Sequence, residues 1–281
     1  MTTSEDAVEA APRTPEAPGS DVLEQLSGDL YGYEHMLPAE DQRVILRLRE
    51  WLHREIRPIA NEHWAKAEFP HHVVPMMADL GIVGMAYERP GHTTASRLLS
   101  GFVTLELSRI DTSIATFYGV HSGLAMGSIS VLGSDEQRQR WLPDLYAMDK
   151  IGAFALTEPN SGSDVAGGLD TTARREGDEW VIDGEKRWIG NATFADLIVV
   201  WARDVEDDNV KGFVVHKENP GFTATKMENK LALRTVQNAD IVLEGCRVPE
   251  ADRLAGANTF ADTGKVLAMT RGGVAWSSVG C

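Results

Sequence analysis

Two stretches hold the residue types that could do chemistry. In the first, Phe154-Ala155-Leu156-Thr157-Glu158-Pro159-Asn160-Ser161-Gly162-Ser163-Asp164, an apolar strand-like run from Ile151 to Leu156 breaks at Thr157 into a polar loop. Hydroxyls and backbone N–H groups without a ladder partner face outward together there, which suits an anionic or heteroaromatic ligand. Taken locally, the same residues also read as a strand ending in a polar turn. The second stretch, Lys186-Arg187-Trp188-Ile189-Gly190-Asn191, leads through Phe194-Ala195-Asp196-Leu197 into the strand-like Ile198 to Arg203. Other candidates are weaker. His71-His72 has no acidic or cysteine cluster to complete a metal site. His121-Ser122, between Gly119 and Gly123, lacks the spacing and the preceding strand of a nucleophile elbow and reads as close helix packing. Gly162, Gly167 and Gly168 do not form G-x-G-x-x-G, so a Rossmann dinucleotide site is disfavoured. Asn191-Ala192-Thr193 matches a glycosylation acceptor only formally.

The elements that must position these stretches fall into two kinds. After Pro38, acids at Glu40 and Asp41 and apolar residues at Val44, Leu48, Trp51, Leu52, Ile56, Ile59 and Trp64 predict an amphipathic helix. Further helices are expected over His71–Leu80, Thr94–Arg109, Thr112–Leu132 and Asp135–Ala147, which makes residues 21–150 a helical domain. The period then changes. Short β-branched runs at Ile151–Leu156, Glu179–Asp183, Leu197–Ala202, Gly212–His216 and Ala239–Leu243, separated by turn signals, predict an antiparallel barrel or sandwich over 151–250. Asp204–Asp208 reads as an exposed loop between two strands. Residues 251–281 turn helical around Lys265–Val279, where Val266, Met269, Val274 and Trp276 give a ragged apolar face with little to pack against. Residues 1–20, rich in Ala, Pro, Glu, Thr and Ser, are expected to be a disordered tail. The fold class is therefore α+β, with a helical domain, a β domain and the start of a second helical region.

Composition narrows the partners. With 43% hydrophobic residues in 281, the chain can bury a substantial core. A net charge of -15 and no Lys/Arg cluster argue against nucleic acid or an anionic membrane surface. Cys246 and Cys281 form no disulfide framework, and Cys246 reads as structural filler. Glu5, Asp6, Glu9 and Glu16 against one Arg13 are the opposite of an Arg-rich presequence, so a cytoplasmic location is expected.

Both chemical stretches, in this order, resemble the flavin-binding signatures of the acyl-CoA dehydrogenase family, and the similarity extends from about Leu23 to Cys281. The resemblance implies FAD as cofactor and an acyl-CoA thioester as substrate. It also implies electron-transferring flavoprotein as electron acceptor and a homotetramer. By this resemblance Phe154, Leu156 and Thr157 belong to the cofactor-binding stretch, and Thr157 matches the family residue that hydrogen-bonds the flavin ring. Gly162 and Ser163 match the pyrophosphate and substrate-proximal positions, while Trp188, Ile189 and Gly190 match the segment packed along the isoalloxazine. Thr270-Arg271 matches a pair beside the substrate.

Several departures qualify the resemblance. Many relatives carry a hydroxyl where this chain has Gly190, and both that Gly and Leu233-Arg234-Thr235-Val236-Gln237-Asn238 are similar to the short-chain acyl-CoA oxidase branch. Relatives specific for glutaryl-CoA grip its distal carboxylate with an Arg where Ala115 stands here, and Gly119 replaces a hydroxyl, so a short monocarboxylic chain is expected. The catalytic base of most relatives is a Glu in a final helical domain that this chain lacks, and the alternative position holds Thr270. The expected function is FAD-dependent oxidation of an acyl-CoA to its 2,3-enoyl form by an enzyme of which this is an incomplete piece. An oxidase reducing oxygen to peroxide, and a non-catalytic protein that binds flavin or acyl-CoA, stay open as alternatives.

Overall fold

The computed structural model describes residues 29–89 and 92–281, so the tail expected over 1–20 lies outside the described residues. Helix α1 (Ala39–Trp51) starts after Pro38 and buries Ile45, Leu48 and Trp51. It runs into a π-helical turn at Leu52–Ile56. The expected stripe ends before helix α2 (Ala60–Lys66): Trp64 is exposed and carries the Arg234 guanidinium 5.0 Å above its ring. Over His71–Leu80 a 3-10 turn (His71–Val73) precedes α3 (Val74–Asp79).

Helix α4 (Arg97–Ile110) is capped by Ser96 on the Leu99 N–H and followed by α5 (Thr112–Tyr118), capped by Asp111 on the Ile114 N–H. A second π-helical turn, Gly119–Ala125, joins α5 to α6 (Met126–Leu132), so the single helix expected over 112–132 is helical throughout but widened in its middle. A Ser134/Gln137 capping box opens α7 (Asp135–Tyr146). Buried Glu106 on α4 pairs with Arg49 of α1 and with Arg109, each at 2.8 Å.

The second half contains β1 (Gly152–Ala155), a short helix α8 (Val165–Gly168), and then β2 (Thr172–Glu176) and β3 (Glu179–Gly190). Strands β4 (Leu197–Asp204), β5 (Val210–His216), β6 (Phe222–Lys226) and β7 (Asn238–Pro249) follow. They form one curled sheet in the order β1-β4-β2-β3-β7-β6, with β5 also on β4. The sheet is mixed, not wholly antiparallel: β1 and β2 both run parallel to β4. The long loop and the β2–β3 hairpin between β1 and β4 make up the kind of crossover that a parallel pair requires and a tight turn cannot supply.

Strands β2 and β6 escape the sequence pattern because they carry few apolar side chains (Thr-Ala-Arg-Arg-Glu and Phe-Thr-Ala-Thr-Lys). Strands β3 and β7 each reach 12 residues, beyond the expected runs. Asp204 is a further correction. It ends β4 buried and paired to Lys211, and only the residues after it form the exposed turn. Cys246 is buried in the sheet, where burial and the nearby Asp183 push its thiol up to about 12, in keeping with a filler role.

Helix α9 (Phe260–Gly280), opened by a Thr259/Asp262 capping box, has more to pack against than its ragged pattern predicts. Val266 is buried, and Trp276 sits 5.2 Å from Phe102, over the bare backbone of Gly101. Its other face stays open, with Val274 68% exposed. One continuous core joins the helices to the sheet, where Phe69 stacks on Phe194 at 5.1 Å and meets Phe117 at a tilt, 4.8 Å away. Among the described residues no helix is long and apolar enough to cross a membrane.

Candidate functional site

The polar loop after β1 is tied down at both ends by one carboxylate. Glu158, buried, accepts from the Asp170 N–H at 2.5 Å and the Thr171 N–H at 3.0 Å, and pairs with the Lys186 ammonium at 2.7 Å. Lys186 also donates to the Leu156 carbonyl at 3.2 Å. Burial by itself would raise the Glu158 carboxyl, but the Lys186 charge and these donors hold it below the usual carboxylate range. Lys186 in turn is drawn down to about 8 by burial, against the pull of Glu158. Between the pinned ends, Gly162 and Ser163 are exposed at the tip, and a Cβ on Gly162 would meet nothing within 4 Å. Among the described residues, neither the half-buried Thr157 hydroxyl nor the Ser163 hydroxyl has a hydrogen-bond partner.

Thr157 lies beside the second stretch, since its carbonyl accepts from the Arg187 N–H at 2.8 Å. There β3 slips register against β7 between Lys186 and Ile189, a β-bulge that leaves Trp188 in the left-handed region at φ 64. That conformation is unusual for a bulky side chain. The residue is 53% exposed, so no core contact accounts for it. Ile189 and Gly190 turn inward, and a Cβ on Gly190 would come 3.3 Å from Val120 of the π turn. Asn191, also left-handed at φ 67, donates to the carbonyls of Gly152 at 3.2 Å and Phe117 at 3.4 Å.

The π turn is the hub between sheet and helices. His121, fully buried, accepts from the Gly152 N–H at 3.0 Å on Nδ1, and its Nε2 donates to the Leu145 carbonyl at 3.1 Å. Burial lowers it to about 4, which keeps the ring neutral in the tautomer those two bonds require. Ser122 accepts from the Gly84 N–H at 2.7 Å. Both side chains are therefore spent on packing, as the spacing predicts.

Of the expected site residues, Thr157, Trp188 and Gly190 come together, with Gly162 and Ser163 on the adjoining loop. Phe154 and Leu156 are buried, Phe154 beside Trp201 at 5.9 Å, so only their backbones can face a ligand. Thr270 reaches the far side of the π turn, its methyl 3.4 Å from where a Cβ on Gly123 would stand, and its hydroxyl donates to the Leu267 carbonyl at 3.2 Å. Arg271 is exposed and bonded to none of the others. The pinning role of Glu158 and the supports of Trp188 carried no local signal, because each partner is remote in sequence.

The arrangement fits a large planar dinucleotide such as FAD. A half-exposed indole is held in a strained bulge, an unpaired hydroxyl belongs to the strand end bonded to the residue before it, and an open glycine tip lets a phosphate approach backbone N–H groups.

Comparison with known proteins gives the same picture. Residues 38–149 match the model of the acyl-CoA dehydrogenase N-terminal domain, and residues 153–246 match that of its middle domain. Human short-chain specific acyl-CoA dehydrogenase is 36% identical over 249 residues, covering 87% of this chain and 60% of the relative. An acyl-CoA dehydrogenase of Bacillus subtilis is 32% identical over 76% of this chain. Among solved structures, a glutaryl-CoA dehydrogenase from Mycobacterium smegmatis in complex with FADH2 superposes with a TM-score of 0.85 at 32% identity, over 90% of this chain and 65% of that one. The chain thus spans about 60% of the length of the curated relatives it matches. Two consecutive domain models, the shared fold and the identity together place this chain in the acyl-CoA dehydrogenase family.

Proposed function

We propose that this chain is the flavin-binding part of an FAD-dependent acyl-CoA dehydrogenase that converts a short monocarboxylic acyl-CoA to its 2,3-enoyl thioester. The observation that carries the reading is Trp188, half-exposed and left-handed, one residue past the Arg187 N–H that bonds to Thr157, whose hydroxyl is free among the described residues. Bound FAD supplies the hydride acceptor at its N5 atom. Trp188 offers a flat apolar face to the ring system, and Thr157 a donor to its polar edge. Phe154, Leu156, Ile189 and Gly190 present backbone groups along the same wall. Gly162 and Ser163 bring donors to the pyrophosphate or to the substrate.

Thr270 cannot take up the α-proton, because its hydroxyl has an ordinary acidity and already donates within its own helix. The proposal therefore takes the base, a carboxylate, from sequence outside these 281 residues, and Arg271 from this chain as a substrate contact. Ala115, buried and uncharged, leaves no cation at that position for a second carboxylate, which favours monocarboxylic substrates. We further propose that residues 21–150, 151–250 and 251–281 are the helical domain, the flavin domain and the start of a further helical domain. The enzyme is placed in the cytoplasm as a homo-oligomer that delivers electrons to an electron-transferring flavoprotein.

A second reading, with oxygen as the acceptor, is favoured by Gly190, which offers only a backbone N–H where a hydroxyl would flank N5. The test is turnover of butyryl-CoA by the full-length native gene product. Dye-linked oxidation without peroxide supports the dehydrogenase, and stoichiometric peroxide without an added acceptor moves the assignment to the oxidase. No turnover of any acyl-CoA by a product loaded with FAD would overturn both.

A further inference from the structure

The Trp188 bulge raises a question that its own residue cannot answer. A left-handed tryptophan with a half-exposed ring gains little from its side chain's packing, so the conformation must be held through its backbone. One side-chain bond does this. Asn238, the cross-strand neighbour of Gly190 on β7, donates its Nδ2 to the Trp188 carbonyl at 3.0 Å. A carboxamide can face either way, and here its direction is dictated from behind: the Lys230 ammonium stands 2.7 Å from Asn238 Oδ1. An ammonium has only donors, so it accepts the oxygen end alone and turns the NH2 toward Trp188. Lys230 itself is gripped by the carbonyls of Leu233, at 2.8 Å, and Val236.

We propose that Lys230 and Asn238 are positioning residues for Trp188: the lysine fixes the orientation of the Asn238 amide, and the amide fixes the bulge that presents the indole. The inference concerns how the ring platform is held, and its relevance to flavin rests on the proposed function. Neither residue touches the ligand in this scheme. Both act through Trp188, and neither has a place in the flavin signatures of the sequence.

The cleanest variant is Asn238→Asp, which keeps the shape and an acceptor for Lys230 and puts an anionic acceptor where the donor to Trp188 was. Lys230→Met removes the orienting charge instead. Two measurements on the whole 281-residue chain are compared: hydrogen exchange of the segment 186–191 without ligand, and the affinity and induced circular dichroism of added FAD. Asn238→Asp is expected to speed exchange in 186–191 about tenfold and to weaken FAD about tenfold with an altered flavin dichroism. Lys230→Met should shift all three in the same direction, while exchange in β4 and β5 stays at the wild-type rate in both variants. Wild-type exchange in 186–191 for both would overturn the inference. So would loss of protection across β4 and β5, because the support of one bulge does not hold the whole sheet. If the wild-type chain fails to bind FAD, the flavin assignment falls, while the exchange comparison still decides whether this pair holds Trp188.

Discussion

The two walls of the candidate site are held by opposite means. The loop after β1 hangs from a buried ion pair, Glu158 with Lys186, whereas the start of β1 is held by uncharged groups: the His121 ring and the Asn191 amide. A charge-held wall is rigid at its anchors and indifferent at its tip, since every donor converges on one carboxylate. A wall held by neutral groups depends on each of them staying neutral. The contrast separates the residues that shape the site from those that would meet a ligand.

The largest effect is expected at the charged anchor. Lys186→Met would leave the Glu158 carboxylate buried without its partner, which costs about 3–5 kcal/mol in comparable cases. Denaturant unfolding would check it, and a Lys186→Met/Glu158→Gln double variant should recover a good part of the loss. A loss under about 1 kcal/mol in the single variant would show that charge does not hold this wall.

The neutral wall should fail with acid. His121 is lowered to about 4 in the fold against an ordinary 6.5. Between those values the unfolded chain binds a proton that the folded chain refuses. Stability from this group is therefore full above about pH 6.5 and lost as pH falls toward 4, by about 3 kcal/mol in total. Unfolding curves from pH 7 to 4.5 would trace it, and His121→Gln should flatten that part of the slope. An equal slope in the variant would contradict the assignment.

The smallest effect belongs to the tip. Gly162→Ala meets open space, so the unfolding free energy should stay within about 0.5 kcal/mol of wild type. A larger drop would mean that the loop tip packs on its own chain.

Much of this was legible in the sequence. Caps such as Ser96, Asp111 and Ser134 sit where the helical runs begin, and the two flavin-like stretches meet through the bond from the Arg187 N–H to the Thr157 carbonyl. The rest escaped for physical reasons. Strands β2 and β6 carry mostly polar side chains, so alternation gave no signal. The bulge at Trp188 exists only as a register slip against β7, which no local pattern encodes. Glu158 and Lys186 lie 28 residues apart, and only the parallel placement of β1 in the sheet reveals that they meet. Trp64 fell on the expected stripe, yet the fold spends it on Arg234.

The central claim is that Trp188 and Thr157 face a flavin. Titration of FAD into this chain and its Trp188→Ala variant, followed by flavin fluorescence quenching, tests it most directly. Saturable quenching is predicted for the wild type and an affinity about two- to tenfold weaker in the variant, the usual scale for losing an aromatic stacking contact. Equal binding by both chains would contradict it.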